Sequence, residues 1–316
     1  MPTFTRYDAV GAREDLTNVI YDISPQDTPI MSSIGKTSAK AVYHEWQTDA
    51  LASVNTSNAL VEGADATAAT LSPTTRIGNY TQNVGKTIQV SGTLESVDKA
   101  GRKSEKAYQL AKASAELKRD IEGIITANQG QSAGSSSAAR VMGSLLSYIK
   151  TNTNKGSGTT AGADPTTIGV STRTDGTTRT FQESMLKDVV AKVFTSGGTP
   201  ATLFVSPALK QVVSGFAGLA AQRYQVPTSG QATILAGADL YQSDFGVISI
   251  VPNRFMRTRD ALVLDPEYAA LAYLRPFQTI DLAKTGDSEK TQILAEVTLE
   301  VKNEGAHGGV FDLSAS

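Results

Sequence analysis

The chain has no cysteine and only two histidines, His44 and His307. Disulfides, thiolate zinc sites and thiol nucleophiles are therefore excluded, and so is a multi-histidine metal site. Charge is sparse, at 19% of residues, against roughly 25% in ordinary soluble domains. The net charge of -2 gives no bulk attraction to nucleic acid or to an anionic membrane. Long hydrophobic runs are missing too. Nothing approaches the ~18 apolar residues of a membrane span, so no membrane partner is expected. The start, Met1 to Arg6, lacks an apolar signal region, and the expectation is an intracellular protein. Small hydroxyl residues are abundant instead. With 316 residues the chain can bury a sizeable core, as one large domain or two ordinary ones.

Residues 1–40 read as an arm. Val10, Leu16, Val19, Ile20 and Ile23 are spaced apolar anchors, and Ile30, Met31 and Ile34 follow the breaker Ser24-Pro25-Gln26-Asp27-Thr28-Pro29. Such an arm can dock on its own domain or on a neighbour. Residues 41–93 read as an extended hairpin. One arm is Val42 to Thr48; the other runs from Tyr80 through Ser91. Between them lies an Ala/Ser/Thr/Asn tract that includes Glu62-Gly63-Ala64-Asp65 and is too poor in large apolar residues to form a core. At ~3.3 Å per residue, arms of about 20 residues would reach roughly 65 Å and need partners along their sides.

The spacing of Leu110, Leu117, Ile121 and Ile124 predicts one long amphipathic helix over 98–128, capped by Asp98. Residues 151–178 are Thr/Gly-rich with few anchors and read as a mobile or surface loop. From 180 to 275 helix and strand alternate. Thr180 and Glu183 have capping-box spacing, Ser206-Pro207 opens a helix, and Phe245–Val251 and Ala261–Leu264 read as buried strands. The end is a β-hairpin around Thr285-Gly286-Asp287-Ser288, suited to pack on the long helix.

Chemical motifs are weak. Gly130-Gln131-Ser132-Ala133-Gly134 with Asp265 and His307 has the chain order of a serine hydrolase. However, it follows a helix and sits in a Ser/Gly tract rather than at a strand-to-helix elbow. Gly35-Lys36-Thr37 and Gly85-Lys86-Thr87 lack the glycine that a phosphate loop places five residues earlier, and read as ordinary turns. Lys99, Arg102, Lys103 and Lys106 make the helix start basic, but acidic residues are interleaved and no aromatics accompany them, so a solvated or subunit-facing surface is expected. The sequons at Asn55 and Asn79 carry no meaning without secretion. Trp46, the sole tryptophan, is either an interface anchor or a cross-strand partner within the hairpin. No catalytic residue, metal site or cofactor is expected.

The order of parts, with Tyr43-His44-Glu45-Trp46-Gln47-Thr48-Asp49-Ala50-Leu51 and Val61-Glu62-Gly63, resembles the major capsid protein of tailed bacteriophages, the Hong Kong 97-like fold. The resemblance spans essentially the whole chain. It implies an α+β architecture: an N-terminal arm over 1–40, an extended loop over 41–93, a peripheral (P) domain from 94–140 and 276–316 around a spine helix, and an axial (A) domain over 141–275. It implies a structural protein, not an enzyme, that self-assembles into hexamers and pentamers of an icosahedral shell around phage double-stranded DNA. Portal, scaffolding and decoration proteins would be partners, the DNA contact would be non-specific, and the subunit would pass from host cytoplasm to virion.

Inter-subunit contacts are expected at Tyr43, His44, Glu45, Trp46, Gln47, Asp49, Leu51, Glu62, Arg102 and Lys103. Some relatives crosslink a loop lysine to a neighbour. No lysine lies between Ala41 and Gly85 here, so no such bond is expected from that stretch. No long helical segment precedes the arm, so scaffolding is expected to be a separate protein or one already removed. An encapsulin-like protein shell or a phage tail or adhesin component are the structural alternatives, and a serine hydrolase is the remote one.

Overall fold

The structure, a computed structural model, describes residues 27–63, 65, 68–159, 161–216 and 239–315. The expected anchors from Val10 to Ile23 lie outside the described residues. In chain order the elements begin with α1 (Pro29–Ser33), β1 (Gly35–Ser38), β2 (Tyr43–Thr48), β3 (Thr75–Tyr80) and β4 (Gln82–Ser91). Next come α2 (Gly92–Ser96), α3 (Glu105–Thr126), α4 (Leu145–Tyr148), β5 (Thr153–Asn154) and β6 (Arg179–Thr180). Then follow α5 (Glu183–Thr195), β7 (Thr202–Val205), α6 (Pro207–Ser214), β8 (Leu240–Ser243) and β9 (Gly246–Pro252). The last are β10 (Ala261–Leu264), β11 (Ala269–Leu282), β12 (Ser288–Val301), β13 (Gly308–Val310) and β14 (Leu313–Ser314).

Helices and sheets are mixed as an α+β fold requires. The C-terminal segment forms the antiparallel β11–β12 hairpin, turning at Gly286 in the left-handed region. With β1 and β4 on its flanks it makes a sheet of order β1-β11-β12-β4. Helix α3 lays Ala113, Leu117, Ile121 and Ile125 into the same core as Ile293, Ala295, Val297 and Leu299 of β12. A second sheet, β5-β13-β10-β7-β9-β8, mixes parallel and antiparallel pairs. Leu186, Val189, Val190 and Val193 of α5 and Leu209 and Val213 of α6 pack in its core. Ser206 caps α6, with Pro207 at the first helical position as read from the sequence.

Several boundaries differ from the sequence reading, each for a local reason. The long helix starts at Glu105, not 98, and runs 22 residues, or about 33 Å. Gly101 takes φ 79°, which a helix cannot continue through. The cap is Ser104, whose side chain accepts from Ala107 N–H; the Glu95 carboxylate accepts from Glu105 N–H as well. Gln182, not Thr180, is the cap residue of α5, and its side chain makes no capping bond.

The partner of the first hairpin arm is 75–80, not 80–91. Tyr43 pairs with Tyr80 and Thr48 with Thr75, whereas Gln82–Ser91 crosses over to pair with β12. Pairing stops after six residues per arm. The reach expected from long arms is therefore not built from a continuous ladder.

The Gly-Lys-Thr matches lie in β1 and β4 and are strands, not turns. The boundary expected at 275/276 falls inside β11, and β13 of the C-terminal segment joins the second sheet. Phe245 lies just before β9, whose face is only half covered.

Residues 30–34 dock on their own chain. Ile30, Met31 and Ile34 are buried in the α3 core, and the Glu122 carboxylate accepts from Ile30 N–H (2.9 Å), Met31 N–H (2.8 Å) and Asn253 Nδ2 (2.6 Å). Burial pushes the Glu122 carboxyl upward, and these three donors oppose it.

Candidate assembly surface

The hairpin has a base that is packed and a tip that is not. At the base, Tyr43 and Tyr80 face each other with ring centroids 4.6 Å apart. Trp46 sits opposite Ile77, packs on the main core and lies 6.1 Å from the Tyr148 ring. Its Nε1–H is buried without an acceptor among the described residues. As an anchor, Trp46 is thus used within its own subunit, together with its cross-strand partner. His44 Nε2 lies 3.1 Å from the Glu300 carboxylate, which also accepts from Thr37 Oγ1 at 2.9 Å. Glu45 pairs with Arg76 at 2.9 Å on the exposed face, and Gln47 Oε1 accepts from Thr74 Oγ1 at 3.1 Å.

Beyond Thr48 the ladder ends. Among the described residues, Asp49 accepts only from the adjacent Ala50 N–H. Leu51, Val54, Leu60, Val61 and Leu71 are between 78% and 99% exposed, and Glu62 stands among them in solvent. Single exposed aliphatics are ordinary; five on one segment without a core make it the candidate contact surface. Asp49, Glu62 and Asp65 give the tip a negative charge with no lysine or arginine beside them.

Arg102 and Lys103 are not near this surface in role. Arg102 pairs with Glu105 and lies over the Tyr108 ring at 5.2 Å, stabilising the start of α3. Lys103 is exposed. Bonds from Gln109 and Arg102 hold the Glu105 carboxyl below the usual carboxylate range. Lys106 reaches Asp281 and Glu289 across the β11–β12 hairpin, so the basic start of the helix is largely matched within the chain.

Sequence reasoning missed the residues that hold the base. Asn79, Gly78, Tyr148 and Glu296 look ordinary in the sequence, since their partners are distant along the chain. Val54, Leu60 and Leu71 carried a signal, as aliphatics without periodicity in a polar tract.

The hydrolase constellation is not assembled. The Ser132 hydroxyl accepts from Gly134 N–H, whereas both His307 ring nitrogens meet backbone groups, of Asp265 and Tyr268. Burial lowers the His307 imidazole to about 4, so it is neutral at pH 7.

A spine helix against a hairpin sheet, a second mixed sheet and a projecting loop without a core define a capsid subunit of the Hong Kong 97-like fold. Solved structures share it over nearly the whole chain. They include the cyanophage A-1(L) capsid (TM-score 0.68, 11% identity, 98% of each chain). The capsid of a native GTA particle also matches (TM-score 0.63, 11% identity, 96% of each chain). In sequence, the major capsid protein of Escherichia phage Phieco32 is 30% identical, covering 98% of this chain and 96% of that protein. The chain belongs to the SU10 major capsid protein family, whose model matches residues 2–314. It is a phage major capsid protein, the subunit of an icosahedral shell. Family membership, rather than fold, separates it from an encapsulin-like shell and from a tail or adhesin component.

Proposed function

We propose that the exposed tip, residues 49–74, is the element by which one subunit holds the next. The observation that carries this reading is the set of five solvent-facing aliphatics, Leu51, Val54, Leu60, Val61 and Leu71, on a segment with no core of its own. Covering a side chain of that size contributes about 1.5–3 kcal/mol. Asp49 and Glu62 contribute charge at the same contact. Tyr43, His44, Glu45, Trp46 and Gln47 support the loop from within the subunit, and Lys103 is a secondary contact.

In this reading α3 with the β1-β11-β12-β4 sheet is the P domain, and the six-stranded sheet with α5 and α6 is the A domain. A domains meet around the axes of hexamers and pentamers, the shell encloses double-stranded DNA without sequence-specific contact, and assembly in the host cytoplasm uses portal, scaffolding and decoration proteins. The protein's work is a surface and not a reaction. The test is sedimentation and electron microscopy of the Leu51→Asp/Leu60→Asp variant. Soluble, folded subunits that form no shells are expected; normal shells would overturn the reading.

A further inference from the structure

The loop must leave the subunit in a defined direction if its tip is to meet a neighbour, and the structure shows what defines it. Each of residues 78–81, the last stretch of β3 and the residue after it, is bonded to the body of the molecule. Gly78 C=O accepts from Tyr148 O–H at 3.0 Å. Tyr80 N–H donates to Gln131 Oε1 at 3.2 Å, and Tyr80 C=O accepts from Thr298 Oγ1 at 3.0 Å. Thr81 Oγ1 donates to Glu296 Oε1 at 2.9 Å.

Asn79 is the centre of this set. Its side chain is fully buried. Oδ1 accepts from Gly143 N–H at 2.8 Å, and Nδ2 donates to Gly143 C=O at 3.1 Å and to Leu299 C=O at 2.8 Å. One carboxamide thus joins the loop to β12 and to the segment entering α4. Only an amide of this length supplies an acceptor and two donors there. Aspartate would lack the donors, and an aliphatic residue would leave three backbone groups unsatisfied in the interior. Toward the tip the bonding changes character: Thr48 and Gln47 bond only across the hairpin, to Thr75 and Thr74.

We infer that Asn79 is the positioning residue of the assembly loop: its carboxamide locks the hairpin base to the subunit body and fixes the direction in which residues 49–74 project. The inference rests on the tip being the contact element. Its mechanical corollary is that the loop bends at 48/49 and 74/75, where the ladder ends, and not at Val42 and Thr81, where it enters the body.

The test uses unassembled full-length subunit and amide deuterium exchange. In the wild type, 43–48 and 75–80 are expected to be protected while 49–74 exchanges fast. Asn79→Ala should raise exchange at 43–48 and 75–80 by about tenfold or more, the size that loss of buried hydrogen bonds gives, with α5 unchanged. Its particles should be heterogeneous in size by electron microscopy. Should the alanine variant fail to fold, Asn79→Asp, which keeps the acceptor for Gly143 N–H, gives the same readout.

Unchanged exchange at the base, or loosened base with uniform wild-type shells, would overturn the positioning role. Leu51→Asp separates the two readings. It should abolish shells and leave base exchange at the wild-type level. Normal assembly of that variant would sink the contact role of the tip while leaving the exchange test of the clamp intact.

Discussion

The loop tip, residues 49–74, and the tract 151–178 are alike in composition: both are rich in Ala, Ser, Thr or Gly, and both have few large apolar residues. The described residues of the tip stand in solvent. The tract, read from sequence as a mobile or surface loop, is a surface segment tied into the subunit by Arg173. That guanidinium is fully buried, pairs with Asp164 (2.6 Å) and Asp312 (3.6 Å) and stacks over Phe311 with its centre 3.7 Å from the ring centroid. Asn128 exchanges two bonds with the Arg173 backbone, and Asp312 accepts from Gly176 N–H. Arg259 adds a second pair to Asp312 at 2.8 Å. A low-complexity segment is therefore fixed by a local pair, Arg173 with Asp164, and by partners far along the chain, Asn128, Arg259, Phe311 and Asp312. Among the described residues the tip has no comparable anchor, as the proposed contact role requires.

The largest effect that would break this contrast is loss of Arg173. Arg173→Ala leaves Asp312 and Asp164 with reduced compensation, and removing one partner of a buried pair costs about 3–5 kcal/mol. Thermal denaturation of the subunit should show it, and residues 151–178 should become as exchange-labile as the tip. A variant with wild-type stability would mean that the tract is held by something else.

The same cluster makes a pH prediction. Burial raises the Asp260 carboxyl to about 6, against the pull of Arg257 and Arg173. The folded state then binds more protons than the unfolded one between about pH 4 and 6, so Asp260 lowers stability as pH rises through that window. His307, lowered to about 4, works in the opposite sense: the unfolded state binds more protons up to pH ~6.5, and stability rises with pH. Each contributes up to about 3 kcal/mol. Asp260→Asn removes the falling contribution, so from pH 4 to 6 the variant's stability should climb more steeply than the wild type's, by up to about 3 kcal/mol. Denaturant titrations of both proteins across that range decide; parallel profiles would refute the assignment.

How far the sequence carried these regions depended on where the partners lie. Elements with local signals were legible: the Leu117/Ile121 stripe, Ser206-Pro207 and the C-terminal hairpin turning at Thr285-Gly286-Asp287-Ser288. The start of the long helix was not, because Gly101 and the Glu95 cap act through backbone conformation. Nor was the second hairpin arm, since 75–80 and 82–91 are both plausible strands and the choice is made by β12. Asn79 and Arg173 were silent for the same reason. The tip was legible as a segment without a core of its own. Trp46 was correctly placed in the hairpin, though its ring is used within the subunit.

Truncation at the tip should have the opposite signature to Arg173→Ala. Leu51→Ala removes a side chain that is 99% exposed, so subunit stability should stay within about 0.5 kcal/mol of wild type. A larger loss in subunit melting would mean that the tip packs on its own chain.

The smallest expected effect is none at all, and it concerns covalent chemistry at the tip. An amide crosslink from the loop needs an amine there. The loop tip and hairpin contain no lysine; the next one along, Lys86, lies in β4 and is paired with Glu116 of α3. On the proposed reading the tip holds its neighbour without a covalent bond, and boiling in detergent should release it completely. Denaturing electrophoresis of mature shells should give a single band near 33.2 kDa. A ladder of multimers would show that another segment supplies the amine and that the tip's contacts are not sufficient to hold the shell.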